Sequence, residues 1–399
     1  MSEKYRFNRM ELAGSLGDLG TILPLSIGMI LVNGMQPLGI FAAVGLYYIG
    51  SGIYFGVTSP VEPMKVISAY AIATGIAAIQ IQAATLLIGL LLLVLGASGL
   101  ITVFGRLIPR PVVRGVQLST GVLLISKGVA FMLGTSVFQK FHKAAEPYLS
   151  VQSIGPLPIG LVIGVGLGLL ALLLLENRRL PAAIVVVAAG MAIGLLLGGG
   201  KMLSQLRPGF YLPQWLPFGL PSGEELSMAL LVLVLPQIPM TLGNAVIANA
   251  DLSLQYFPDN GKRVTYKALT ISMGLANLVS FLIGGMAMCN GAGGLASRYR
   301  FGARSGGSNL FIGAVFLALA VFFGASCLAL INLIPISALG VLLVFSGVQL
   351  SLTLLDMKSR KELFVPVLVV GITLAANLAA GFFAGIVIAY LLKWKKLNV

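Results

Sequence analysis

The chain has 399 residues, of which 58% are hydrophobic and only 10% charged, with 50 glycines and a mean hydropathy of +0.99. A soluble globular chain carries about 25% charged residues, so these figures exclude an ordinary soluble protein and indicate a polytopic, all-α membrane protein. At roughly 20 residues per span, fourteen helices leave no room for a sizeable soluble domain, and the formal net charge of +14 implies a partner only once it is placed relative to the membrane.

In chain order, apolar runs between charges predict helices near Met10 to Val32, Leu38 to Val57, Pro63 to Ile79, Ala83 to Phe104, Pro111 to Leu133, Leu157 to Leu175 and Pro181 to Leu197. A polar stretch from Lys201 to Glu225 follows. The second set lies near Met228 to Ala250, Tyr266 to Met288, a short helix from Gly291, then Asn309 to Ile331, Ile336 to Leu355, Leu363 to Leu378 and Ala380 to Leu392. The N-terminus has no cleavable signal pattern, so the first helix is expected in the mature protein. Cys289 and Cys327 sit in apolar runs and support no disulfide framework.

The arrangement reads as seven plus seven. LIPRPVVRGVQLSTGVLL from Leu107 matches LIPISALGVLLVFSGVQL from Leu333, with the same spacing from L-I-P to Ser or Thr, Gly, Val. Seven helices lie between the copies, an odd number that inverts topology, as in many secondary transporters. With the N-terminus inside, twenty of the 26 basic residues fall in inner segments, among them Lys4, Arg6, Arg9, Arg106, Arg110, Arg114, Arg178, Arg179, Lys262, Arg263, Lys267 and the last lysines. This asymmetry meets the positive-inside rule. The net charge then reports topology, both termini are expected inside, and no nucleic acid is implied.

Enzymatic motifs are scarce. The single histidine, His142, excludes a multi-histidine metal site and a Ser-His-Asp triad, and GVGLG from Gly164 lies in an apolar run with no strand before it, which favours helix packing over nucleotide binding. No enzyme activity, metal or cofactor is expected.

Two segments read as breaks within the membrane. In SPVEPMK, Pro60 and Pro63 favour extended backbone before a helix starting at Pro63; in MCNGAGGLASRYRFGARSGGS, Asn290 is an expected N-cap and Gly291, Gly293 and Gly294 leave backbone N–H groups uncovered. Helix N-termini there would offer a positive dipole end to an anion. The competing explanation for the glycines is close helix packing.

Ionisable groups inside a membrane are candidates by default. Glu62 and Lys65, three apart, would form a local ion pair, and an ionised Glu62 would repel an entering anion, coupling proton to anion. Asp18, among Gly14, Gly17 and Gly20, either caps a broken first helix or shares in proton coupling. In PQIPMTLGNAVIANAD, Pro236 and Pro239 should open the backbone ladder, and Gln237 and Asn244, seven apart, would donate to an oxyanion or to neighbouring helices. Arg298, Arg300 and Arg304 read first as orienting charges, with an inner gate for an anion as the alternative.

At four strings, ELAGSLGDLGTILPL, PVEPMK, PQIPMTLGNAVIANA and MCNGAGGLASRYRFGARSGGS, the sequence resembles the molybdate transporter family related to the sulfate permeases. Two positions depart from the family's pattern: relatives often carry Gln at Glu62 and His at Asn290. The chain stops just after its last helix at Val399, which fits the molybdate branch. The resemblance implies a uracil-permease-like fold of seven plus seven inverted helices, with residues 1–105 and 227–332 as a core domain and 106–226 and 333–399 as a gate domain. It implies a secondary transporter in the inner or plasma membrane importing a tetrahedral oxyanion, molybdate first and sulfate second, with protons as coupling ion and a homodimer by analogy. A nucleobase:proton symporter of the same fold is the alternative. Substrate would meet Ser59, Glu62, Lys65, Gln237, Asn244, Asn290, Gly291, Ala292, Gly293 and Gly294.

Overall fold

The computed structural model describes residues 5–100, 108–175, 177 and 180–392. Lys4, Phe104, Arg106, Leu107, Arg178, Arg179 and the lysines beyond Leu392 lie outside them.

The first apolar run is two helices, α1 (Arg9–Ser15) and α2 (Leu19–Asn33). Their break follows from close approach: a Cβ on Gly17 would come within 2.8 Å of the Arg298 backbone, and one on Gly14 would strike Ala303. Pro24 sits inside α2 without ending it. Next come α3 (Pro37–Phe55), the two-residue strand β1 (Glu62–Pro63), α4 (Lys65–Thr74), α5 (Ala78–Ser98) and α6 (Arg110–Met132). A short α7 (Val137–His142) carries the histidine, and a small hairpin, β2 (Ser153–Ile154) with β3 (Leu157–Pro158), leads into α8 (Ile159–Leu174) and α9 (Ala182–Leu196).

A continuous helical rod, α10 (Gly223–Tyr256), opens the second half. Pro236 and Pro239 lie in a short α-helical stretch, Leu235–Met240, flanked by π-helical turns at Ala229–Val234 and Thr241–Ala248; a proline lacks its N–H and crowds the preceding turn, and the helix widens on both sides. Then follow α11 (Tyr266–Leu282), β4 (Met288–Cys289), α12 (Ala292–Arg300), α13 (Gly306–Phe323), α14 (Cys327–Ile331), α15 (Ile336–Leu352), α16 (Arg360–Ala375) and α17 (Leu378–Leu391). Among the described residues, seven helices are long and apolar enough to cross a membrane, and eight if the bent pair at Ala182–Leu196 and Gly199–Gln205 counts as one span; α8, α11 and α17 are shorter apolar helices. The protein is a mostly helical, polytopic membrane protein.

α3 packs on α13 and α5 on α11, while α6 packs on α15, α16 and α17, and α15 also meets α8 and α9. Lipid supplies no hydrophobic force between helices, so packing there depends on small residues that let backbones approach. Gly45 faces Gly313 and Gly52 faces Gly306 across α3 and α13; Gly121 faces Gly347 and Gly128 faces Gly340 across α6 and α15. A Cβ on Gly340 would lie 2.6 Å from the Gly128 carbonyl oxygen. Gly128→Leu should therefore lower the apparent unfolding midpoint in detergent, by the equivalent of about 1–3 kcal/mol for overpacking. Gly166→Leu, at an α8 position with open space around it, should leave the midpoint unchanged.

Candidate functional site

The two extended segments meet in the interior. Glu62 pairs with Cys289 and Pro63 with Met288, antiparallel, and Met64 N–H donates to the Ala287 carbonyl at 2.8 Å. Because this ladder holds Glu62 to Met64 extended, α4 starts at Lys65 rather than at the expected Pro63. On the other side Gly291, not Asn290, is the N-cap of α12. The Asn290 side chain turns away: its Nδ2 donates to Ser59 Oγ (3.2 Å) and Pro60 O (2.6 Å), and its Oδ1 accepts from Tyr47 O–H. Both short helices thus begin at one buried crossing, with their N-termini toward it.

Those N-termini are not equivalent. Gln237 Oε1 accepts from Val66 N–H at 2.9 Å and Ile67 N–H at 3.3 Å, and its Nε2 donates to Thr241. Gln237 therefore caps α4 and is fully buried, with its side chain engaged by α4 and Thr241. The seven-residue spacing to Asn244 does not mark one face, because the helix passes from an α-helical to a π-helical turn at Thr241. At α12, by contrast, the N–H groups of Ala292, Gly293 and Gly294 have no acceptor among the described residues, and Gly291 caps without a side chain. The Glu62 carboxylate lies against this turn: a Cβ on Gly294 would stand 2.9 Å from its Oε1, and one on Gly291 would collide with its Oε2. Glu62 is buried and its Oε2 is 3.2 Å from Lys65 Nζ.

A cavity of about 540 Å³ opens here, walled by α2, α4, α10 and α12 on one side and α6 and α15 on the other. Thr21, Lys65, Asn244, Gly293, Gln117 and Gln349 supply its polar lining near the crossing, and Arg110 and Arg114 stand on its wall. An adjoining cavity of about 440 Å³ shares Thr21, Lys65, Gly293, Ser346 and Gln349 and reaches Asp18, Glu62 and Gly294. Of the expected site residues, Glu62, Lys65, Asn244, Gly293, Gly294 and Asp18 line these spaces, whereas Ser59, Gln237, Asn290, Gly291 and Ala292 do not.

The expected inner gate also changes. Arg298 is fully buried, bonded to Asp18 (3.1 Å), Ser15 O, Thr58, Ser308 and Asn309. Asp18 also accepts from Tyr48 O–H at 2.7 Å, and its side chain makes no cap bond to α2. Arg304 is exposed and stacks on the Tyr299 ring, its guanidinium 3.5 Å from the centroid. Neither of these two lines the cavities, whereas Arg300, the third expected gate residue, lines the smaller one. Arginines line the larger one at Arg110 and Arg114, which both pair with Asp356 at the end of α15.

Gln117 and Gln349 were not among the expected site residues. A signal for them was present: the pentapeptide GVQLS occurs twice, at Gly115 to Ser119 and at Gly347 to Ser351, and both glutamines face the same cavity.

A family model described as a molybdate transporter of the MFS superfamily matches residues 10–124 and 229–350. Molybdate transporter 2 of Arabidopsis thaliana is 32% identical over 417 residues, covering 97% of this chain and 88% of that protein. Among solved structures, SLC26A9 superposes with a TM-score of 0.66 at 14% identity; 96% of this chain is covered, and the chain spans 65% of that longer one. The transmembrane domain of a cyanobacterium bicarbonate transporter, BicA, superposes with a TM-score of 0.65 at 16% identity, covering 96% and 98%. The chain thus shares the fold of these two structures, and on sequence it belongs to the molybdate transporter family, whose members are transporters and not enzymes.

Proposed function

We propose that the protein is a secondary transporter that imports a tetrahedral oxyanion, molybdate ahead of sulfate, by alternating access. The observation that carries this reading is the α12 N-terminus with free N–H groups beside Lys65 and Asn244 at one cavity. A helix start offers N–H donors and a positive dipole end, Lys65 adds a cation, and Asn244 adds an amide donor. The order of substrates rests on the family.

In this reading fourteen segments form two inverted sets of seven, with residues 1–105 and 227–332 as core and 106–226 and 333–399 as gate. The paired contacts of α3 with α13 and of α5 with α11 support it. The gate pair α6 and α15 moves against the core across the cavity. Both termini face the inside of an inner or plasma membrane, as the positive-inside asymmetry supports, and the basic wall at Arg110 and Arg114 serves as an entry funnel for anions. Glu62, against the α12 N-terminus, takes up a proton as the anion enters; Asp18, held by Arg298, has a positioning role. A homodimer is part of the reading by analogy alone.

Calorimetry with molybdate, sulfate, tungstate and uracil on purified protein tests this. Molybdate binding that sulfate displaces poorly is the expected result; binding of uracil alone would overturn the oxyanion reading in favour of a nucleobase symporter. Asn244→Leu should weaken molybdate binding about tenfold, the loss of one hydrogen bond to a charged group, with the unfolding midpoint unchanged because Asn244 is only half-buried. An unaltered affinity would remove Asn244 from the site.

A further inference from the structure

A second site lies on the flank of the molecule. Between α3 and α11 runs a groove of about 520 Å³, lined by Leu46, Tyr47, Gly50, Tyr54, Ile271 and Leu275. Leu46, Tyr54 and Leu275 are each about half exposed, at 45%, 54% and 54%, and the space where a Gly50 Cβ would sit has no atom within 4 Å. The trough is open along two apolar helices that both cross the bilayer in the proposed reading.

One end of the groove is cationic. Lys267 lines it, and Lys262 and Arg263 precede it on the connection into α11, both exposed. Lys262 and Lys267 take part in no ion pair among the described residues, and Arg263 reaches the Tyr54 carbonyl at the groove's edge, at 3.5 Å. Of the nearby acidic groups, Asp251 at the end of α10 accepts from Tyr266 O–H at 2.8 Å, and Asp259, exposed on the same connection three residues before Lys262, offsets one of the three positive charges; no Asp or Glu lines the trough. A membrane-facing apolar channel ending in three cations fits one occupant.

We propose that this groove binds an anionic phospholipid, its phosphate at Lys262, Arg263 and Lys267 and one acyl chain laid over Tyr47. A zwitterionic lipid would bring a choline cation to the same three positive charges and bind less well. The floor of the groove gives the lipid a consequence. Tyr47 O–H donates to Asn290 Oδ1 and shares a 3.3 Å contact with Ser272 Oγ, so a chain packed on the Tyr47 ring steadies Asn290, the residue before the Gly291 N-cap of α12. This second step, unlike the lipid site itself, rests on the oxyanion reading.

Native mass spectrometry of the detergent-purified protein, supplied with equal phosphatidylglycerol and phosphatidylcholine, tests the site. The wild type should retain one phosphatidylglycerol, at least fivefold over phosphatidylcholine. Gly50→Leu, which fills the trough, should lose it, with Leu275→Trp as the second filling variant should the first not fold. Lys262→Ala, Arg263→Ala and Lys267→Ala together should reduce phosphatidylglycerol to the level of phosphatidylcholine. Equal retention of both lipids by the wild type, or unchanged retention in the filling variants, would overturn the proposal, as would a dimer that Gly50→Leu dissociates, which would assign the groove to a second copy. Phosphatidylglycerol should also tighten molybdate binding about threefold in the wild type and not in Gly50→Leu. Absence of molybdate binding in every sample would count against the oxyanion reading and leave lipid retention as the measure of the groove.

Discussion

Glu62→Gln should abolish the pH dependence of molybdate uptake into proteoliposomes and, with it, accumulation against a gradient. The carboxylate lies on the α12 N-terminal turn, 3.2 Å from Lys65 Nζ, so an ionised Glu62 both occupies the cation and faces an incoming dianion. Two unit charges about 4 Å apart interact by about 4 kcal/mol at an effective dielectric of about 20, which dominates the hydrogen bonds of the site. Wild-type affinity should therefore rise at least tenfold as pH falls. The glutamine keeps the shape without the charge and should bind at high pH as tightly as the wild type does at low pH, while carrying no proton. Lys65→Met is the companion: it removes the cation and leaves Glu62 buried without its partner, and molybdate affinity at neutral pH should fall at least a hundredfold. Wild-type uptake that ignores pH, or a concentrative Glu62→Gln transporter, would end the coupling role of Glu62.

Arg298→Met should cost about 3–5 kcal/mol, the typical penalty for stripping one partner from a buried ion pair. The guanidinium ties three places at once: Ser15 and Asp18 at the break of the first span, Thr58 on the extended segment before β1, and Ser308 and Asn309 at the start of α13. It also lies over the Tyr48 ring, 5.1 Å from the centroid. Its loss leaves Asp18 charged in the interior, beyond what Tyr48 O–H and Val61 N–H alone offset. The measurement is the unfolding midpoint in detergent together with the yield of monodisperse protein. Asp18→Asn combined with Arg298→Met should recover part of the loss, because no buried charge then remains unpaired. A single variant as stable as the wild type would show that the cluster does not hold the core together.

The membrane class was legible from composition, because a chain with so few charges cannot keep so many apolar runs soluble. The interruptions were legible too: proline and glycine act through local backbone geometry, which needs no knowledge of the rest of the fold. Hence the break near Asp18, the extended run before Lys65 and the helix start after Gly291 appear close to where the residues place them. The family strings, being specific, carried the transporter class.

Partnerships across the chain were not legible. Arg298 reads as an orienting surface charge because its neighbours in sequence are polar, but its partners lie up to 283 positions away and bury it. Gln237 looks like a site donor until the fold brings it against the α4 N-terminus, and Asn290 until Tyr47 and Ser59 engage its side chain. By itself the sequence determined where the backbone must bend and that it must lie in a membrane, since both follow from local sterics and from apolar content. Only the tertiary structure decided which polar groups stay free for an anion, because a buried donor is available only after every neighbour brought by the fold has taken its share.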